Sequence, residues 1–195
     1  MTMCSLVDPK TKTALIDAAR RGVRVRVLPD SNSNGGAGGT QTNMPAFKRL
    51  TAHGVNVRWA WPGVLWHQKS IVRDGTAVCI MTGNLYAPDY AVLRDFVVIT
   101  RDAATARGVD ATFAADFTKN HRPPCRGVVP KGSELIWSPG AEDRLVRLIC
   151  TAHAGSTLWL EDEQLASDSF EQALVAAAAR GVTVNLTMTD SSSSD

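Results

Sequence analysis

The 195-residue sequence has no apolar run long enough to cross a bilayer, which excludes a membrane-spanning helix within it. Its opening residues, MTMCSLVDPK, lack the basic segment and apolar core of a secretory leader, so no signal peptide is read there. That leaves the compartment open among soluble, secreted and membrane-peripheral. Strong charge of either sign is also missing. A net charge of +2 does not advertise the basic groove of a duplex-binding protein. The four cysteines, Cys4, Cys79, Cys125 and Cys150, show no close metal-ligand spacing, and no other residue set is spaced like a zinc or two-metal site. Cys79 and Cys150 read as small buried thiols, whereas Cys125, in the loop HRPPCRG, is the most available for a disulfide. The glycine-rich stretch Asp30 to Thr40 contains no G-K-[ST] and is no nucleotide-phosphate loop; it reads as a substrate cover or as plain surface. With 44% hydrophobic and 21% charged residues, the chain is an ordinary folded protein, long enough for one core and the beginning of another.

One stretch organises the rest: Trp66 to Asn84, WHQKSIVRDGTAVCIMTGN. Strand residues two apart share a face, so His67 and Lys69 project together while Gln68 and Ser70 point elsewhere. Asp74-Gly75 is a strong hairpin signal, and the return strand delivers Gly83 and Asn84 to the end of the sheet where His67 began. An imidazole, an ammonium and a carboxamide gathered there suit an anionic substrate, above all a phosphate ester. Breaking a phosphodiester takes a nucleophile, a proton donor for the leaving oxygen, and support for charge on the phosphoryl oxygens. Neutral His67 can attack phosphorus, Lys69 can hold a non-bridging oxygen, and Asn84 can donate to another. Gly83 permits close backbone approach. Asp74 either supports the site or only hydrogen-bonds its own turn. Trp59 reads as core; Trp61 and Trp66, flanking Pro62-Gly63, are candidates to line a substrate entrance.

The pattern H-x-K-x(4)-D at His67, Lys69 and Asp74, followed by the Thr82-Gly83-Asn84 turn and the Arg94-Asp95-Phe96 strand, resembles the signature of the phospholipase D superfamily. The order of hairpin, turn, strand and F-x-x-D-F helix end is similar to its bacterial lipid-handling branch, including relatives of cardiolipin synthase. The turn departs from the commonest form in having no serine before Asn84. The resemblance implies a covalently phosphorylated histidine, a second histidine from another motif serving as acid and then base, and no metal or other cofactor. It makes His67 one of that pair, Lys69 and Asn84 phosphate ligands, and Asp74 a supporting residue. Glu161 and Glu163 read two ways: as a carboxylate beside the second-half histidine, or as solvated acidic residues at a strand end.

Helix–strand alternation predicts an α/β fold, a mixed β-sheet flanked by helices on both faces, with the start of a second repeat. Helices are expected over 11–21, 45–53, 103–117, 143–153 and 168–180. Strands are expected over 23–28, 55–59, the hairpin 71–80, 93–100, 134–137, 157–160 and 182–188. Arg24 and Arg26 read as the solvated face of their strand, His121 as a lone surface residue, and the SSSSD end as a frayed tail. The segment Ala14 to Asp30 returns as Ala173 to Thr189, with the R-G-V turn at Arg21-Gly22-Val23 and again at Arg180-Gly181-Val182. A repeat so long is a whole domain. The expected division is 1–118, a catalytic repeat incomplete at its N-terminus; 119–132, a connector; and 133–195, the opening part of a second repeat.

The leading functional reading is metal-independent phosphodiester hydrolysis or phosphatidyl transfer on phospholipids. The alternatives are a phosphodiesterase nuclease of the same superfamily and a silent scaffold lacking the second motif. Because no second H-x-K lies within the chain, the expected partner is a second H-x-K-bearing segment or a second copy in a homodimer.

Overall fold

The computed structural model describes residues 1–32, 39–118 and 123–189. Most of the glycine-rich stretch, together with His121 and the SSSSD tail, lies outside the described residues. The chain divides into two compact units, Met1–Leu135 and Ile136–Asp195.

The first unit starts with β1 (Thr2–Met3), which enters α1 (Pro9–Arg20) through an N-cap at Asp8. The Asp8 carboxylate accepts the Lys10 N–H at 3.3 Å and the Thr11 N–H at 2.7 Å, and Pro9 follows where a missing N–H costs nothing. Gly22, at φ 88°, reverses the chain into β2 (Arg26–Pro29). Next come α2 (Gly39–Ala52) and β3 (Asn56–Val57). The hairpin β4 (Ser70–Arg73) and β5 (Ala77–Met81) leads to β6 (Val97–Thr100) and α3 (Ala103–Thr118).

The six strands lie in the order β3-β2-β1-β4-β5-β6. The first three are parallel, β4 joins β1 antiparallel through Thr2 and Ser70, and the remaining pairs are antiparallel. The sheet is therefore mixed, as the hairpin predicts. Its two faces can be read from adjacent residues of β2. Val27 packs with Met3, Ile16 of α1, and Ala46 and Leu50 of α2; Leu28 packs on the other side with Ala60, Trp66, and Phe113 and Phe117 of α3. Helices cover both faces.

That covering corrects the reading of Arg26. The alternation of Val and Arg is real, but the arginine face lies beneath α3. The Arg26 guanidinium sits 5.1 Å from the Phe113 ring centroid and 5.7 Å from that of Phe117, with Arg58 4.8 Å from Phe117. Arg24 is exposed, as expected. Pro45, which reads as a helix start, lies inside α2, so the helix begins earlier, at Gly39. The strand expected over 134–137 does not form: the segment is irregular, and Leu135 packs against Gly108 of α3.

The second unit contains α4 (Glu142–Cys150), β7 (Thr157–Asp162), α5 (Asp168–Ala179) and β8 (Thr183–Met188), with β7 and β8 parallel. In α4, Ile149 takes the buried position, while Leu148 and Cys150 are exposed, so the inward thiol expected at Cys150 is not there. The helix is short, and Ile149 alone of its residues is buried.

The repeat is visible in the backbone. Ser167 caps α5 as Asp8 caps α1, each accepting from the residue three on, Phe170 and Thr11. Gly181 stands at φ 87° against 88° at Gly22. The Val182 N–H donates to Ala177 as Val23 donates to Ala18. Strand register is preserved too: Glu161 pairs with Thr187 and Asp162 with Met188, as Thr2 pairs with Leu28 and Met3 with Pro29.

Candidate active site

β1 and β2 run parallel and end together, the edge of an α/β sheet where ligands commonly bind. Because β4 is antiparallel to β1, the residues leading into it, His67 to Lys69, lie beside the end of β1. Lys69 is still held by the hairpin, since its carbonyl accepts the Met81 N–H at 3.0 Å. The Lys69 side chain is buried while His67 is exposed, and Lys69 Nζ lies 2.8 Å from His67 Nε2. An ammonium has donors only, so a charged Lys69 makes Nε2 the accepting nitrogen and leaves the ring proton on Nδ1.

Asn84 arrives from the turn after β5. Its Oδ1 accepts the Ser5 N–H, just past β1, at 3.1 Å. This contact orients the carboxamide, because the oxygen is committed to the backbone and Nδ2 is the remaining donor group. Gly83 needs to be small for a steric reason. A Cβ there would fall 2.6 Å from Asp95 Oδ2, and Asp95 Oδ1 accepts the Thr82 hydroxyl at 2.7 Å. The turn is further closed by the Phe96 N–H donating to Thr82 Oγ1 at 2.9 Å.

Other sequence-derived candidates stand elsewhere. Asp74 stands at the hairpin tip at φ 53°, followed by Gly75 at 61°, and the Thr76 N–H donates to the Arg73 carbonyl at 3.0 Å across this left-handed pair, in a loop of three residues between Arg73 and Ala77. At about 3.3 Å per residue it lies roughly 16 Å along the strand from Lys69, so the structure does not bring it to the pair. Trp66 is buried against Leu28, Phe113 and Phe117, its indole N–H donating to the Trp61 carbonyl at 2.9 Å. Glu161 and Glu163 are exposed, one at the end of β7 and one just beyond. By the shared register Glu163 occupies the counterpart of Cys4, and Glu161 that of Thr2.

Three residues that the sequence reading passed over hold the floor of the site. Asn43, fully buried on α2, accepts the Leu6 N–H at 2.9 Å and donates to the carbonyls of Cys4 at 2.7 Å and Asp30 at 3.0 Å. It clips the ends of both parallel strands to one helix. Asp30, also fully buried, accepts the Trp66 N–H at 3.0 Å. Cys4 lies within electrostatic reach of Lys69 and Asp30: burial pushes its thiol up, the Lys69 ammonium opposes that, and the Asp30 carboxylate reinforces it. The signal for Asp30 was a charged residue directly after the apolar strand Val27 to Pro29. That for Asn43 was a polar residue within an amphipathic helix. Among the described residues, no three His, Cys, Asp or Glu side chains gather so as to hold a metal ion, and no helix is long and apolar enough to cross a membrane.

Residues 1–117 match the family model described as "Cardiolipin synthase, PLD-like domain". No curated protein matches the sequence. Among solved structures, polyphosphate kinase from Porphyromonas gingivalis is similar with a TM-score of 0.65 at 17% identity, over 96% of this chain and 32% of that one. The chain thus spans about a third of that enzyme's length. A phospholipase D family member, Nuc from Salmonella typhimurium, is similar with a TM-score of 0.51 at 21% identity, over 60% of this chain and 74% of that one. At these identities the two structures are neighbours in fold.

Proposed function

The chain belongs to the cardiolipin synthase and phospholipase D-like family, and from that premise we propose that it performs metal-independent phosphodiester hydrolysis or phosphatidyl transfer on phospholipids. The observation that carries this reading is the 2.8 Å approach of Lys69 Nζ to His67 Nε2, with the Asn84 carboxamide oriented beside the same strand end. The lone pair that accepts from Lys69 is the one that would attack phosphorus. A phosphate arriving between them takes over the lysine's hydrogen bond on a non-bridging oxygen, and Nε2 is released as nucleophile. The N–P bond forms as the bond to the leaving oxygen breaks. That oxygen takes a proton from an acid on the far side of phosphorus; water or an acceptor alcohol then attacks the phosphohistidine and gives its proton to the same group, and the N–P bond breaks to release the product and return His67 Nε2 to its neutral form. Lys69 and Asn84 support the charge that develops on the phosphoryl oxygens.

The acid must lie across phosphorus from His67, so Lys69 does not serve. Its proposed source is a second H-x-K-bearing segment or a second copy of the chain. Asp74 has a supporting role at the hairpin, and Glu163 is the proposed carboxylate of the second half, by its match to Cys4.

Incubation with phosphatidylcholine and with plasmid DNA, both free of added metal and with His67→Ala alongside, tests the reading. Headgroup release lost in H67A supports it. Nicking of DNA without lipid turnover replaces it with a nuclease. Silence toward both, even with a second-motif segment added, makes the chain a scaffold.

A further inference from the structure

Asp30 ends β2 with no exposed surface, and its two oxygens have different surroundings. Oδ1 accepts the Trp66 N–H at 3.0 Å and the Asn32 N–H at 3.3 Å. Oδ2 is equally buried and has no hydrogen-bond partner among the described residues. A bare buried oxygen on a carboxylate is unfavourable unless a positive charge in the same surroundings offsets it. A plain turn residue would not need that second oxygen, because the amide of an asparagine supplies the same acceptor to the Trp66 N–H. The positive charge at hand is Lys69, itself buried, which acts with Asp30 on the Cys4 thiol from opposite directions.

We propose that Asp30 is a positioning residue of the phosphodiester site: its Oδ1 fixes the backbone that carries His67, and its carboxylate is the buried negative charge that keeps the buried Lys69 an ammonium, so that Lys69 donates to a neutral His67 Nε2. This rests on the phosphodiester reading above. Asp30 sits one peptide from His67 by hydrogen bond, through Trp66, and touches no substrate. Among the described residues, further titratable groups stand on the neighbouring elements. Cys4 feels the charges of both Lys69 and Asp30, Asp95 is bonded to Thr82 behind Gly83, and Asp8 is bonded to Lys10 and Thr11 at the start of α1. Asn43, which also faces the strand ends, carries no charge.

The chain with isotope-labelled histidine tests this by NMR, His67 being assigned by the signal lost in H67N. Asp30→Asn keeps the shape and the acceptor for Trp66 and removes only the charge. The His67 titration midpoint is expected to move to lower pH while those of His53 and His153 stay in place. Asp30→Leu removes the acceptor as well, and exchange of the Trp66 amide with solvent is expected to quicken at least tenfold. An unmoved His67 midpoint in D30N, or a shift shared by all four histidines, overturns the proposal without need of the leucine variant. Unchanged Trp66 exchange in a folded D30L does the same. In phospholipid turnover with the second motif supplied, D30N is expected to lower kcat and leave KM nearly unchanged. Full turnover by H67N would instead defeat the phosphodiester reading, and the NMR result for Asp30 would stand apart from it.

Discussion

The Ser5 N–H donates to Asn84 Oδ1 at 3.1 Å, across the gap between the end of β1 and the turn after β5. The oxygen is thereby spent on architecture, and Nδ2 is the donor proposed to meet a phosphate. Asn84→Asp keeps the acceptor for Ser5 but turns the remaining donor into an anion. Turnover is expected to fall about 10²–10³-fold or more, the cost of losing one oxyanion donor, with little change in melting temperature. Asn84→Ala loses both, and urea denaturation is expected to show a further destabilisation of about 1 kcal/mol.

Gly83→Ala tests the steric account of the turn. The new methyl would fall 2.6 Å from Asp95 Oδ2 and 2.8 Å from its Cγ, so the carboxyl must move and release Thr82. A loss of about 1–3 kcal/mol is expected on unfolding. Adding Asp95→Ala should restore part of it; a double mutant no more stable than G83A alone would show that the contact is not the cause.

Asn43→Leu removes three buried hydrogen bonds and strands their backbone partners. The expected cost is about 2–4 kcal/mol by denaturant unfolding. Faster amide exchange at Leu6 would locate the damage.

The cap of α1 gives a pH dependence with a definite sign. The Asp8 carboxyl is held below its ordinary value of 3.8, first by the Thr11 hydroxyl and then by the N–H groups of Thr11 and Lys10, which outweigh burial. A depressed acid stabilises the fold above its unfolded value, and that stability is lost as the pH falls through the folded value. Asp8→Ala is therefore expected to cost about 1 kcal/mol near neutrality. The gap to the parent should narrow below pH 3.8, as thermal melts across pH would record.

Phosphodiester turnover is expected to survive EDTA, since attack by His67 with support from Lys69 and Asn84 calls for no metal ligand. Loss of activity in chelator, restored by a divalent ion, would falsify the mechanism.

What could be read from the sequence was whatever depends on neighbours along the chain. The Asp74-Gly75 turn and the helix–glycine–strand repeat are local patterns, and their elements formed close to where expected, whereas His67 and Lys69 fall just before β4 and not on a strand. Arg26 misled because alternation shows that a strand has two faces, and α3, which covers the arginine face, lies far away in sequence. Asn43 was lost when Pro45 was taken for the first residue of its helix. Asp30 looked like the opening of a polar loop, and only the arrival of Trp66 from a distant segment makes it a buried acceptor. Glu134 to Trp137 has the composition of a strand, but Leu135 packs against Gly108 of the distant helix α3 and the segment stays irregular.

The matched register of β1–β2 and β7–β8 makes the helix–turn–strand between them a transplantable cassette. Capping residue, reversing glycine and strand pairing occupy the same places in both copies. The two segments thus share a backbone while their side chains differ. A chimera carrying 167–188 in place of 8–29 would keep its ends in step with the host sheet. It would also carry, where Arg26 lies under two phenylalanine rings, the neutral Asn185, and so would measure how much of the first core depends on that one cation.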